Sequence, residues 1–267
     1  MAVKVRVLSL GAGVQSTTMA LMAAHGEITP MPDCAIFADT QWEPKAVYDH
    51  LTWLTAPGVL PFPVHIQTGG DLRQAVRDRS KTSAGRIAAV PWHMLMANGK
   101  AAMGRRQCTK EYKLYPIRRK VRQMLDGKTP KGGAELWIGI SLDEAYRQKP
   151  STVAYIANRW PLIEQRMSRN DCLRWMERKG YPTPPKSSCI GCPFHNDNQW
   201  RALRDGAPAE WQDAIEMDRA IRDQPGFRGK QFMHPSLKPL DQVDLSTPED
   251  HGQLNLFINE CEGVCGV

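Results

Sequence analysis

The stretch from Leu8 to Thr17 places two glycines and several hydroxyl side chains between an apolar segment and a helical one. Alternating apolar residues over 3–8 predict a strand, and residues 18–24 predict a helix that stops near Gly26. Glycines in such a turn let backbone N–H groups approach an anion, and the helix N-terminus adds about half a positive charge. The stretch predicts a phosphate-binding loop, although glycines here can also serve the turn alone. The candidate contacts are Ser9, Gly11, Ala12, Gly13, Gln15, Ser16 and Thr17.

A second group that could do chemistry is the pair Cys189-Ile-Gly-Cys192. This spacing places two sulfurs about one turn apart, close enough to bind one metal ion or cluster. Zinc and iron–sulfur clusters both need four ligands, and no second Cys or His pair has zinc spacing. Cys108 is the expected third ligand, because its basic neighbours favour a thiolate. A reduced dithiol without metal is the alternative.

The fourth ligand stays open among the remaining cysteines. Cys34 starts a predicted core strand and Cys172 lies in a predicted helix, so both fit a buried apolar role better. We take Cys265 as a candidate metal ligand and Cys261 as a candidate catalytic residue. The candidate ligands of a [4Fe-4S] cluster are therefore Cys108, Cys189 and Cys192, with Cys265 as the candidate for the fourth place, which the sequence leaves open.

Composition limits the class of protein. The chain has 267 residues, 42% of them hydrophobic, and a formal net charge of +7, which favours anionic partners. No apolar run is long enough to span a bilayer, and the N-terminus lacks the apolar segment of a signal peptide. We expect a cytoplasmic protein without membrane association, in which seven cysteines serve metal or redox chemistry rather than structural disulfides.

The most basic segment runs from residue 105 to residue 122. A run of charges usually forms a solvated helix face, but this run starts in a turn beside a cysteine, which favours an anion site. It predicts a contact surface for DNA or RNA. The candidate residues are Arg105, Arg106, Lys110, Lys113, Arg118, Arg119 and Arg122.

Predicted strands alternate with predicted helices along the first half of the chain. Strands over 34–38, 64–68 and 135–140 alternate with helices over 44–54, 71–79 and 116–125. This alternation predicts an α/β fold with a doubly wound, mostly parallel, Rossmann-like sheet. Ligands of such sheets bind beyond the carboxyl ends of the strands, where this chain has polar residues. Those residues are Asp39, Thr40, Thr68, Gly139, Asp143, Glu144 and Arg147.

Two further regions lack regular periodicity. Residues 80–106 predict a long, mobile substrate loop. After a capping box at Ser168–Asp171, three helices follow, one ending at Gly180 and two over 198–204 and 208–222, before an irregular tail from Gln224. We therefore predict a nucleotide-binding domain over 1–165 and a helical, irregular, cysteine-containing extension over 166–267.

Several ordered motifs resemble the phosphoadenosine phosphosulfate reductase family, within the adenine-nucleotide α-hydrolase-like superfamily. Gly11–Ser16 occupies the place of the pyrophosphate loop of ATP pyrophosphatases, usually Ser-Gly-Gly-x-Asp-Ser, with Gln15 replacing the usual Asp. The other matching motifs are Phe37-Ala-Asp39-Thr40-x-x-Glu43, Cys108-x-x-x-x-Lys113-x-x-Pro116, Gly139-Ile-x-x-Asp143-Glu144-x-x-Arg147, Pro161-Leu162 and the Cys-x-x-Cys pair.

The resemblance implies binding of ATP with Mg²⁺, or of a related adenylyl nucleotide, and sulfur chemistry. It permits two activities: reduction of an activated sulfate, or an ATP pyrophosphatase that adenylates a nucleic acid for sulfur insertion, as in DNA phosphorothioation or tRNA thiolation. We favour the second, because the loop departs from a simple reductase loop and the basic segment suits a polyanion. An inactive nucleotide-binding or cluster-binding sensor is a third alternative.

The candidate catalytic residues under these hypotheses are Ser16, Asp39, Arg147 and Cys261, the last within Glu260-Cys261-Glu262, which approximates the Glu-Cys-Gly tail of the family. The implied partners are an adenine nucleotide, DNA or RNA, and a sulfur donor such as a cysteine desulfurase. A homodimer is compatible with the sequence.

Overall fold

The computed structural model describes residues 3–246 and residue 250. The strands are β1 (Val5–Leu10), β2 (Cys34–Asp39), β3 (Val64–Thr68), β4 (His93–Met96), β5 (Ala101–Met103), β6 (Ala134–Trp137), β7 (Ile156–Arg159) and β8 (Gly229–Phe232). The α-helices are α1 (Val14–Ala24), α2 (Lys45–Leu54), α3 (Leu72–Arg77), α4 (Tyr115–Met124), α5 (Pro161–Glu164), α6 (Arg169–Arg178), α7 (Asp197–Gly206) and α8 (Pro208–Ile221).

Five strands form a central parallel sheet in the order β3-β2-β1-β6-β7. Helices flank this sheet, so the predicted α/β, Rossmann-like fold is confirmed. The strand order reverses between β1 and β6, because β2 and β3 continue on one side of β1 while β6 and β7 lie on the other. Ligands of open α/β sheets bind at such a reversal. The loop after β1 and the residues after β6 both lie there.

Apolar side chains bury both faces of this sheet. On one face, Leu8 and Phe37 pack with the apolar side of α1 and with Cys172 and Trp175 of α6. On the other face, Val7 and the neighbouring strands pack against α4. The core therefore fixes the ends of β1 and β6 from two sides, and these ends position the cleft described below.

A second, three-stranded antiparallel sheet has the order β5-β4-β8. Its first two strands lie within residues 80–106, where the sequence predicted an irregular loop, and β8 lies within the predicted irregular tail. Both predictions are wrong at these strands. Because β4 pairs with β8 more than 130 residues later in the chain, no local pattern reveals the pairing. Trp92, fully buried just before β4, anchors this region.

The C-terminal helices divide between two cores. The capping box at Ser168 is confirmed: its side chain accepts a hydrogen bond from the Asp171 N–H, and Asp171 accepts one from the Ser168 N–H. Helix α6 then packs on α1, whereas α7 and α8 contribute Trp200 and Met217 to a core around the Cys-x-x-Cys segment. The predicted domain boundary near residue 165 stays a prediction.

None of the helices in the described part of the chain combines the length and the apolarity needed to cross a membrane.

Candidate functional site

The glycine loop connects β1 directly to the N-terminus of α1. Helix α1 begins at Val14, immediately after Gly13, and no side chain caps this end. The Ser16 hydroxyl accepts a hydrogen bond from the Gly11 N–H at 3.1 Å and donates one to the Gly13 carbonyl at 3.3 Å. Ala12 has a φ of 55°, in the left-handed region that favours glycine. The loop is therefore held in a tight turn at the positive end of α1.

Close packing around the loop explains why glycine occupies positions 11 and 13 of the loop and position 139 after β6. A Cβ on Gly139 would lie 3.0 Å from the Ser16 backbone nitrogen, so only glycine lets these two segments approach. Cβ atoms on Gly11 and Gly13 would lie 3.0 Å from Ser187 Oγ and 2.9 Å from Ser187 Cβ. The glycines thus make room for the 185–187 segment, a packing role that the sequence pattern does not reveal.

A cleft of about 1000 Å³, partly open to solvent, lies at the reversal of strand order. It brings together seven of the predicted nucleotide-binding residues and the predicted catalytic Arg147. Four basic and two acidic side chains line it, so its polar wall is mainly cationic. The predicted residues in the cleft are Ser9, Gly11, Gly13, Gln15, Ser16, Gly139, Glu144 and Arg147. The charged residues are Glu43, Lys113, Glu144, Arg147, Arg169 and Lys186.

Gln15 is held by a polar network on one wall of the cleft. Its amide nitrogen donates to Glu144 Oε2 at 3.3 Å and to Ser141 Oγ at 3.4 Å, and its oxygen accepts from Arg169 at 2.8 Å. Glu144 also accepts from Arg147 at 2.5 Å. Burial raises the pKa of Glu144, and Arg147 opposes this shift. The neutral amide of Gln15 therefore links one carboxylate to one arginine.

Several predicted residues lie outside the cleft. Asp39 and Thr68 share the sheet edge as predicted, but that edge is wide and the cleft lies beside β1 and β6. The Asp39 carboxylate accepts from the Tyr48 hydroxyl at 2.8 Å and from the Gln41 N–H at 2.7 Å. The Thr68 hydroxyl accepts from the Gly70 N–H at 2.9 Å. Both side chains therefore serve local turns.

Other predicted contacts are also used internally. Thr17 is fully buried, and its hydroxyl bonds to His50, whose pKa burial lowers to about 4. Thr40 donates to Glu43 at 2.9 Å. Asp143 accepts from the Arg169 N–H at 3.0 Å. The structure does not bring these three side chains, or that of the fully buried Ala12, into the cleft.

A second cavity of about 420 Å³ brings together Cys108, Cys189 and Cys192. Lys113 and Ser187 line this cavity and also the nucleotide cleft, so the two are neighbours. No three His, Cys, Asp or Glu side chains of the described residues are arranged to hold a metal ion. Cys261 and Cys265 lie outside the described residues.

Two tryptophans fix the Cys-x-x-Cys turn. The Trp92 indole donates to the Gly191 carbonyl at 2.9 Å, and the Ile190 N–H donates to the Trp42 carbonyl at 2.9 Å. A Cβ on Gly191 would lie 2.0 Å from the Trp42 ring. The glycine of this motif is therefore required by packing, independently of any metal.

The expected low pKa of the Cys108 thiol is wrong for the protein without a metal. Burial and the neighbouring Cys189 raise the pKa of Cys108 to about 11, and this outweighs the opposing effects of Lys113 and Arg106. Cys34 and Cys172 are buried, as predicted, and burial raises their pKa values to about 11 and about 12. These three cysteines are thiols at neutral pH.

The predicted nucleic-acid residues divide between the interior and the surface. Lys113 and Arg106 line the cavities, and Arg106 lies over the Phe194 ring. Arg118 donates to Thr152, whereas Arg119, although exposed, donates to the Thr68 carbonyl. The remaining three are exposed, namely Arg105, Lys110 and Arg122.

Sequence reasoning missed four polar residues of the cleft. Arg169 begins α6, Lys186 and Ser187 come from the segment before the Cys-x-x-Cys pair, and Glu43 follows β2. Glu43 is part of a motif quoted for the family, so a signal existed for it. The other three come from segments whose packing on the loop depends on long-range contacts.

No protein-family model and no curated protein matches the chain. Among solved structures, the fold is similar to the crystal structure of phosphoadenylyl-sulfate (PAPS) reductase from Candida auris in a phosphate complex. The two are 12% identical, with a TM-score of 0.43, over 67% of this chain and 74% of that chain. The function proposed below rests on the residues of this chain.

Proposed function

We propose that this chain is an ATP pyrophosphatase that adenylates a nucleic acid for sulfur insertion. The phosphates of ATP bind on the Gly11–Ser16 turn at the positive end of α1. Basic side chains converge on the same cleft, and cations beside a helix N-terminus favour a polyphosphate over a neutral ligand. The proposed phosphate contacts are Lys113, Arg147, Arg169 and Lys186.

In the proposed reaction, an oxygen of the acceptor attacks the α-phosphorus of ATP, and the bond to the β-phosphate breaks. Pyrophosphate leaves with the electron pair, and an adenylated acceptor remains. Preorganised cations and N–H donors stabilise the negative charge that develops in this step. Sulfide from a sulfur donor then displaces AMP, which takes away the former acceptor oxygen. Arg147 and Ser16 line the cleft, and we assign to them the binding of the phosphates during the first step.

One observation carries this proposal over simple ATP hydrolysis: the nucleotide cleft borders the cysteine cavity. Lys113 and Ser187 belong to both linings. An oxygen activated in the cleft would therefore lie beside the thiols through which sulfur could be delivered. An ATP-hydrolysing site has no chemical use for three converging cysteines.

The cysteine cavity is lined by three thiols, but the described residues contain no group arranged to hold a metal ion. To hold a [4Fe-4S] cluster, Cys108, Cys189 and Cys192 would have to rearrange and gain a fourth ligand, and Arg106 and Lys113 would offset the negative charge of the cluster. A bound cluster would supply sulfide or electrons.

The rim of the cleft offers a surface for a nucleic-acid acceptor. The turn at Leu142–Arg147 directs Glu144 and Arg147 into the cleft and leaves Tyr146 and Leu142 exposed, with residue exposures of 78% and 45%. An exposed aromatic ring can stack on an unpaired base. This surface favours a nucleic acid over a small nucleotide as the acceptor.

Replacing Cys261 by Ser separates this proposal from the reductase alternative. A reductase would use this thiolate to attack the sulfur of a nucleotide sulfate, and a serine hydroxyl is a far weaker nucleophile at neutral pH. Adenylation needs no thiol. We therefore expect Cys261→Ser to release pyrophosphate from ATP at nearly the wild-type rate, measured with a coupled phosphate assay.

The Cys34→Ser variant controls for a general effect of removing a thiol, since Cys34 lies in the core away from both cavities. Wild-type protein that releases sulfite from a nucleotide sulfate, and loses this activity in Cys261→Ser, would establish the reductase instead.

A further inference from the structure

Two carboxylates line the nucleotide cleft, Glu43 and Glu144, and each is only 5% exposed. Both oxygens of Glu144 have partners within the protein. Its Oε1 accepts from Arg147 at 2.5 Å, and its Oε2 accepts from Gln15 at 3.3 Å. Both carboxylate oxygens of Glu144 therefore already accept hydrogen bonds, from Gln15 and Arg147.

Glu43 differs from Glu144 because one of its two carboxylate oxygens has no hydrogen-bond partner among the described residues. Its Oε1 accepts from the Thr40 hydroxyl at 2.9 Å and lies 3.6 Å from Lys113 Nζ. Its Oε2 is buried and has no hydrogen-bond partner among the residues that the structure describes. A buried carboxylate oxygen without a partner is costly, so native proteins supply it with a donor, a water or a cation. Among the described residues that line the cleft, Glu43 is therefore the one whose carboxylate has an oxygen without a hydrogen-bond partner.

Mg²⁺ fits such a position when it arrives with a nucleotide. The ion usually keeps several waters and binds through one or two carboxylates together with the phosphates of the substrate. Gln15, at the loop position usually held by aspartate in this type of loop, is uncharged and is tied to Glu144 and Arg169. Asp39 is tied to Tyr48 and Gln41 outside the cleft. Glu43 is thus the carboxylate left to meet the ion.

We propose that Glu43 Oε2 is the protein ligand of the Mg²⁺ that accompanies the bound nucleotide. The inference rests on the proposed function, since it requires ATP in this cleft. Under this proposal the metal ligand is Glu43, four positions after β2, and not position 15 of the glycine loop. Lys113, next to Oε1, then binds phosphate on the other side of the same carboxylate.

The test compares the affinity for ATP with and without Mg²⁺, by calorimetry on the full chain. We expect Mg²⁺ to tighten binding to the wild type by about tenfold or more, a normal coupling between two ligands. In Glu43→Gln the ratio of the ATP affinities with and without Mg²⁺ should fall to nearly one. The affinity for ATP in EDTA should stay equal or rise, because a negative charge near the phosphates is lost. Thermal melting checks that the variant folds.

Glu111→Gln is the matched control, because this carboxylate accepts from Ser83 outside the cleft, and its ratio should match the wild type. A wild-type ratio in Glu43→Gln, or loss of the ratio in Asp39→Asn instead, would overturn the inference. The wild type alone also tests it: equal affinity with and without Mg²⁺ overturns the inference and leaves the proposed function intact. No ATP binding at all would overturn both.

Discussion

Replacing Lys113 by Met is expected to lower the rate of pyrophosphate release by about 10²- to 10³-fold, the usual effect of removing one preorganised group that stabilises transition-state charge. Lys113 lines the nucleotide cleft and the cysteine cavity, and its ammonium group lies 3.6 Å from Glu43. The sequence predicts Lys113 as one of the contacts to DNA or RNA. The measurement is kcat for pyrophosphate release from ATP with saturating nucleic acid.

Two variants make this result specific. Lys110→Met removes an equal charge three residues earlier, where the ammonium group lies 5.5 Å above the Tyr115 ring on the surface, and it should keep the wild-type kcat. Lys113→Met also leaves a buried carboxylate without its cation, which lowers stability. The double variant Lys113→Met/Glu43→Gln removes that penalty, so its melting temperature should recover while kcat does not. Full activity in Lys113→Met would remove this residue from the mechanism.

Replacing Gly191 by Ala is expected to lower the free energy of unfolding by about 3 kcal/mol, at the upper end of overpacking effects. The new Cβ would lie 2.0 Å from one atom of the Trp42 ring and 2.7 Å from two others. The ring cannot move easily, because it is 3% exposed and its indole donates to Asp213 at 2.7 Å. The melting temperature should fall by roughly 6–12 °C for a domain of this size.

Gly206→Ala is the matched control, since a Cβ there meets nothing within 4 Å at the end of α7. Its unfolding free energy should stay within about 0.5 kcal/mol of the wild type. Equal stability of Gly191→Ala and Gly206→Ala would contradict the packing account of the Cys-x-x-Cys turn.

The sequence predicts the central sheet well, because each βα unit carries its own pattern. β1 to β3 and the helices after them show apolar strands, capping residues and stops within a few residues of the observed bounds. The small antiparallel sheet could not be predicted in this way. Its strand β8 pairs with β4 across most of the chain, and such pairing leaves no local signal.

The candidate site was predictable where it depends on the turn itself, and not where it depends on packing across the fold. Gly11, Gly13 and Ser16 follow from the strand–turn–helix pattern. Their neighbours Ser187 and Arg169 come from segments that reach the loop only in the folded chain. Polar residues at strand ends, such as Asp39, were assigned to ligands although the turn uses them.

The central claim is that ATP is cleaved between its α- and β-phosphates for transfer to a nucleic acid. The most direct measurement is an anaerobic incubation with ATP, Mg²⁺, a sulfide donor and either DNA or bulk tRNA, followed by separation of the nucleotides. The account predicts AMP and pyrophosphate in equal amounts, formed faster with one of the nucleic acids than without either. ADP with free phosphate, or intact ATP alongside sulfite released from a nucleotide sulfate, would contradict it.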